Sequence, residues 1–180
     1  MDEIRIVPYD PRWPAMYLAE ADLLGSILPS ELVVSMEHIG STAVPGLSAK
    51  PVIDILIAVP SLKHAREIAV PALEKHDYAF WSENPRSDRL FFVKGLPPKT
   101  PHRTHHLHMA EQGSDIKTLL LFRDYLRTHS QEVWRYAALK SDLMAQHQSD
   151  REAYTAAKSS YIDQVVARAL RESSKAARMP

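Results

Sequence analysis

The chain has 180 residues, 45% apolar and 24% charged, which suits one packed domain with or without a helical extension and excludes disorder. Lys plus Arg and Asp plus Glu both number 22, so the basic excess expected of a long nucleic-acid binder is absent. The absence of cysteine excludes disulfides and thiolate metal sites. No apolar run reaches the roughly 18 residues of a membrane span, and the start lacks the pattern of an ordinary secretory signal. A soluble, cytoplasmic protein is expected.

Ile4–Val7 reads as an edge strand stopped by Pro8. Asp10-Pro11 reads as a helix start, with Asp10 as N-cap and Pro11 in the first turn. Trp13, Met16, Tyr17, Leu24, Ile27 and Leu28 then recur at helical spacing until Pro29. Leu32–Ile39 has strand character and Gly40-Ser41 breaks it, while Pro45-Gly46 marks a turn. Val52–Val59 is short, apolar and rich in β-branched residues, as a central buried strand is. Ser61 caps a helix running to about Lys75.

Tyr78–Trp81 and Arg89–Lys94 read as strands, Gly95–Thr104 as a proline-rich loop, and His105–Glu111 as a half-buried strand. From Gly113 the pattern is helical. Three helices are expected near Ser114, Ser130 and Ser149, the last with the capping box Ser149-x-x-Glu152. The fold class is therefore α+β, with a mixed sheet and helices over residues 1–112. A C-terminal three-helix layer over 113–172 packs on it, and 173–180 form a frayed tail.

Chemistry concentrates in residues 38–54. A glycine after a strand lets backbone approach an anion closely, and Ser41 and Thr42 add hydroxyl donors. Lys50 adds a positive charge at the same end of the buried strand. Asp54 lies inside that strand on the face of Val52, Leu56 and Ala58, where a carboxylate is costly unless paired or bound to metal. His38 ends the preceding strand and is placed to orient the turn, with Glu37 on the opposite face.

Four of the nine histidines cluster at His102, His105, His106 and His108, with His106 and His108 on one strand face. Three readings stay open for this pair: metal ligands, a general base or phosphate donor, and mutual hydrogen bonding with the adjacent loop. On a helical wheel each C-terminal helix turns one cation into its apolar stripe: Arg123, Lys140 and Lys158. A buried unpaired charge is expensive; snorkelling could relieve one such residue, whereas three in three helices suggest a common anion, or local carboxylates such as Asp54 or Asp124. Tyr136 and Tyr154 stand one turn before Lys140 and Lys158. The Gly95–Thr104 loop, with Lys99 and Arg103, is expected to close over an acceptor substrate.

The Gly-Ser dipeptide with an acidic residue thirteen positions after Ser41 resembles the signature of the nucleotidyltransferase superfamily. The segment Glu37–Ile55 (EHIGSTAVPGLSAKPVIDI) resembles the hallmark of the GrpB family. So do Val7–Pro14 (VPYDPRWP), Thr104–His108 (THHLH), Phe122–Leu126 (FRDYL), Tyr136–Lys140 (YAALK) and Arg151–Lys158 (REAYTAAK). The resemblance implies a nucleotidyltransferase-like fold. In that superfamily Gly-Ser contacts nucleotide phosphates and an Asp-x-Asp pair holds divalent metal, and similar domains occur fused to dephospho-CoA kinase. Here Leu56 stands where the second carboxylate belongs.

The expected ligand is thus a nucleotide or phosphorylated small molecule held by Gly40, Ser41, Thr42 and Lys50. Arg103, Arg123, Lys140 and Lys158 would neutralise its phosphates. A divalent ion, Mg²⁺ or Mn²⁺ with Zn²⁺ as the softer alternative, would sit on Asp54 with His106 or His108. It would polarise the α-phosphate while an acceptor oxygen attacks in line. Two rivals accompany this reading: a binding module that has lost catalysis, favoured by Leu56, and a metal-dependent phosphohydrolase built on the histidines.

Overall fold

Five strands make one mixed sheet: β1 Ser35–Ile39, β2 Ile53–Val59, β3 Tyr78–Phe80, β4 Arg89–Lys94 and β5 His105–Glu111, in the spatial order β1-β2-β5-β4-β3. The structure, a computed structural model, describes residues 5–147 and 150–176. β2 runs antiparallel to β1 and parallel to β5, and β5 runs antiparallel to β4. Among the described residues six α-helices pack around the sheet: α1 Trp13–Ile27, α2 Leu62–Glu74, α3 Ser114–Thr128, α4 Ser130–Gln146, α5 Arg151–Ala157 and α6 Ser159–Ala176.

The period-two side-chain alternation of β2 divides the molecule into two sides. Ile53, Ile55, Ile57 and Val59 face α1 and α2, meeting Trp13 and Leu24 of the first, Leu28 just past its end, and Ala65, Ala69 and Leu73 of the second. Leu107 and Met109 of β5 and Phe92 of β4 complete this main core. On the other side Leu56 and Ala58 meet Ile39, Ala110 and Ile116, with Leu119 and Leu120 of α3 packed over them. The C-terminal helices also cover the glycine loop, where Val44 and Leu47 pack on Leu126 and Tyr136.

Several expected elements are redrawn. Ile4–Val7 is not a strand: Val7 makes one antiparallel bridge with Ala49, and Ile4 lies outside the described residues. Asp10 does not cap α1. Its carboxylate accepts from the Arg12 backbone N–H at 2.9 Å and pairs with the Arg12 guanidinium, making a turn before a helix that starts at Trp13. Ser30–Leu32 is a 3-10 turn, because Leu32 buries its side chain by turning under Pro29, and strand pairing starts only at Ser35.

The third C-terminal helix is two, α5 and α6, parted at Lys158. Ser149 of the expected capping box lies outside the described residues, and Asp150 caps α5, accepting from the Ala153 N–H at 2.9 Å. α6 runs past residue 173 to Ala176, tied to α3 where Glu172 accepts from Tyr125 at 2.9 Å and pairs with His129.

Candidate phosphate site

The site forms where β1 ends, the loop from Gly40 to Lys50 turns, and β2 begins. Gly40 has φ +72°, a left-handed conformation that disfavours a side chain. A Cβ there would stand 2.9 Å from Asp54 Cγ and closer still to Asp54 Oδ2. The anion this glycine already admits is therefore the protein's own Asp54 carboxylate. Ser41 follows at the head of a 3-10 turn, Ser41–Ala43, half-buried.

Asp54 pairs with His106 across the β2–β5 ladder, Oδ1 lying 3.0 Å from Nδ1, while His108 Nε2 stands at 4.0 Å. Burial works against its ionised form. The His106 hydrogen bond and the charges of His106, His108 and Lys158 outweigh that, holding its pKa below the ordinary value. Burial is also the main cause that brings the His108 pKa down to about 4, so its ring is neutral near pH 7. Phe91 of β4 packs against both rings, at 5.2 and 4.8 Å. His106 Nε2 and His108 Nδ1 are buried with no hydrogen-bond partner. A buried polar atom left so costs about 1–3 kcal/mol, and a ligand's polar group would offset it.

His38 and Thr42 support the turn from behind. His38 pairs in register with Ile55, which faces the main core, and its ring stacks on Tyr17 of α1 at 4.8 Å. Thr42 Oγ1 donates to the Val52 carbonyl at 3.3 Å and so accepts from His38 Nε2 at 3.0 Å. Burial pulls the His38 pKa down to about 4, leaving a neutral ring in that role. Thr42, 1% exposed, braces the loop from inside.

The three cations divide. Arg123 donates from one guanidinium nitrogen to Glu37 Oε2 at 2.7 Å and to the His38 carbonyl at 3.0 Å, and from Nε to Asp124 at 2.7 Å. Burial opposes its charge, yet these carboxylates raise its pKa above the ordinary value. It clamps α3 to β1, the role in which carboxylates rather than a ligand supply the counter-charge. Lys140 is different. At 2% exposure, its ammonium donates to Ser41 Oγ at 3.2 Å and to the Ser48 carbonyl, above the Tyr136 ring at 4.9 Å. Among the described residues no carboxylate pairs with it. Burial, helped by the charge of Lys158, pulls its pKa down to about 7.

Lys50 and Lys158 stand 4.4 and 4.3 Å from the centre of the Tyr154 ring, itself 1% exposed. The Gly40–Lys50 loop, α4 and the α5–α6 junction thus carry lysines into one neighbourhood, with Asp54 the carboxylate nearest the turn. Arg103 is half-buried in the proline-rich loop, and Lys99 pairs with Asp77 on the surface. Ser48 also lines a cavity of about 350 Å³ with Val7, Pro8, Gly46, Val133 and Trp134.

These residues do not fit the two-ion site of the nucleotidyltransferase superfamily. The position of the second carboxylate is Leu56, 1% exposed in an apolar cluster. Asp54 spends one oxygen on His106, and no group of three His, Asp or Glu side chains among the described residues is gathered as a metal site. Ser48, Phe91 and Tyr17 are contributors not named from sequence. Phe91 meets the histidines only through β4–β5 pairing, and Tyr17 meets His38 only through the docking of α1.

Fold and site together define an α+β protein with a mixed sheet, a glycine turn against a buried carboxylate, and a helical layer delivering lysines to that turn. The chain belongs to the GrpB protein family, whose sequence profile matches residues 3–168. It is 44% identical over 179 residues to a UPF0157 protein of Pseudomonas aeruginosa, covering 99% of this chain and 71% of that one. The crystal structure of the conserved protein GrpB from Enterococcus faecalis superposes with a TM-score of 0.82 at 31% identity, covering 93% of this chain and 98% of that one. A dephospho-CoA kinase of Mycolicibacterium paratuberculosis is 28% identical over 183 residues, covering 86% of this chain and 43% of the kinase. No helix among the described residues is long and apolar enough to cross a membrane.

Proposed function

We propose that this protein binds a nucleotide or other phosphorylated small molecule at the glycine turn, with Ser41, Lys50, Lys140 and Lys158 meeting the phosphates. Lys140 carries the reading. A lysine at 2% exposure, with hydroxyl and carbonyl partners but no paired carboxylate among the described residues, lacks a direct counter-charge. A phosphate arriving between Lys140 and the Tyr154 lysines supplies it. The nucleotidyltransferase resemblance points to the same loop, and a kinase acting on a coenzyme A precursor is among the relatives.

A binding module without metal-dependent turnover is the second reading of the same site, and Leu56 favours it over the superfamily's two-metal transfer. Calorimetric titration separates the possibilities. Pyrophosphate, ATP and dephospho-coenzyme A are titrated into wild type and Lys140→Met, with and without Mg²⁺ and Mn²⁺. Saturable binding in wild type, absent in Lys140→Met and indifferent to metal, is the expected result. An affinity unchanged by Lys140→Met contradicts the reading.

A further inference from the structure

The contact between Ser41 and Lys140 has a chemical meaning beyond anion binding. Ser41 Oγ lies 3.2 Å from Lys140 Nζ, and the Tyr136 phenol lies beside the same hydroxyl. Ser41 is half-buried, at the head of the turn on which the phosphate reading centres. Lys140 is packed beneath it, anchored by the Ser48 carbonyl and held over Tyr136. A serine hydroxyl is a weak nucleophile until an adjacent base takes its proton, and lysine serves as that base when burial makes the neutral amine available.

We infer that Ser41 is a nucleophile with Lys140 as its general base, and that the site forms a covalent serine–phosphorus ester with a phosphoanhydride ligand. The inference rests on the reading of the turn as a phosphate site. In the first step Ser41 Oγ bonds to phosphorus as the bond from phosphorus to the bridging anhydride oxygen breaks. The leaving phosphate departs as an anion and the hydroxyl proton passes to Lys140 Nζ. In the second, water or an alcohol displaces Ser41 Oγ, which recovers its proton from Lys140, and the incoming hydroxyl's proton is released. No redox change and no further reactant is involved.

The surroundings of Lys140 suit that exchange. Ser41 and Ser48 face it from the loop, Tyr136 from α4, and Lys158 acts on it from the α5–α6 junction. Tyr154 and Lys50 form the next layer, and the nearby carboxylate, Asp54, is engaged by His106. With burial pulling its pKa to about 7, the amine is free of its third proton in much of the ligand-free population near neutrality, and a bound phosphoanhydride, by favouring the charged form, lowers that fraction and moves the base's working range to higher pH. The same lysines that neutralise phosphate charge also raise the electrophilicity of phosphorus.

The test uses a fluorophosphonate probe, an irreversible phosphorus electrophile, on the full chain, with peptide mass spectrometry to locate the label. Labelling of Ser41, with a rate that rises through about pH 7, is expected. Lys140→Arg keeps a cation but cannot act as a base, and should slow labelling by about 100-fold or more. Lys140→Met should do the same, each variant being checked for cooperative thermal unfolding. The pH profile of wild type stands as evidence even where a variant fails to fold. No label on Ser41 at any pH, or an unchanged rate in a folded Lys140 variant, overturns the inference. Wild type that binds pyrophosphate but resists the probe defeats the nucleophile alone. Wild type that labels at Ser41 but binds no pyrophosphate, ATP or dephospho-coenzyme A defeats the binding reading instead.

Discussion

Two lysines lie on opposite sides of the same sheet, Lys94 half-buried and Lys140 buried, and they live differently. Lys94, on the α1 side, donates to Glu20 Oε1 at 2.6 Å, and Tyr78 donates to the same oxygen at 2.9 Å. His105 lies 3.7 Å from the second carboxylate oxygen, so the charge is matched where it is buried. Lys140, on the α3–α6 side, has a hydroxyl, a carbonyl and an aromatic face for company. The first arrangement is a finished structural clamp. The second leaves a buried ammonium without a paired carboxylate among the described residues, and on the reading proposed above an arriving anion offsets that cost.

Glu20→Ala strands Lys94 without its carboxylate, and should lower unfolding free energy by about 3–5 kcal/mol in urea titration while leaving pyrophosphate affinity unchanged. Lys140→Met should move stability the other way, raising it by about 1–4 kcal/mol while abolishing the pyrophosphate response. Loss of both stability and binding would place Lys140 with Lys94 as a clamp. Gly40→Ala should cost about 1–3 kcal/mol, since its backbone is left-handed and the new methyl meets Asp54. Pairing it with Asp54→Gly should recover part of that loss in a double-mutant cycle.

The same lysine also sets a pH dependence. The folded-state pKa of Lys140 is about 7 and its ordinary value 10.5, so the unfolded chain binds more protons between those limits. Stability from this group therefore rises with pH across that window, and the penalty is complete below it. Lys140→Met should flatten that slope in urea titrations at pH 7 and pH 10.

Much of this was legible in the residues, for physical reasons. β2 announces itself because a strand covered on both sides must be apolar throughout, and β5 because Leu107 and Met109 alternate with histidines. The break at Lys158 was hidden, since the apolar spacing from Tyr154 to Ala169 continues across it. Lys140 and Arg123 look alike on a helical wheel. Only the docking of α3 against β1 brings Glu37 to Arg123, and only the loop's path brings Ser41 to Lys140. The glycine by itself signals room for a ligand's anion. That Asp54 itself stands against Gly40 depends on the path of the turn, which local pattern does not reveal.

The charge on the Lys140 ammonium is measured by heteronuclear NMR of the lysine side-chain nitrogens. Lys140, assigned by its loss in Lys140→Met, should titrate near pH 7 in the free protein and more than a unit higher with saturating pyrophosphate, because the bound anion stabilises the charged form. A midpoint near 10.5 in the free protein, or one near 7 that pyrophosphate does not move, would contradict the account.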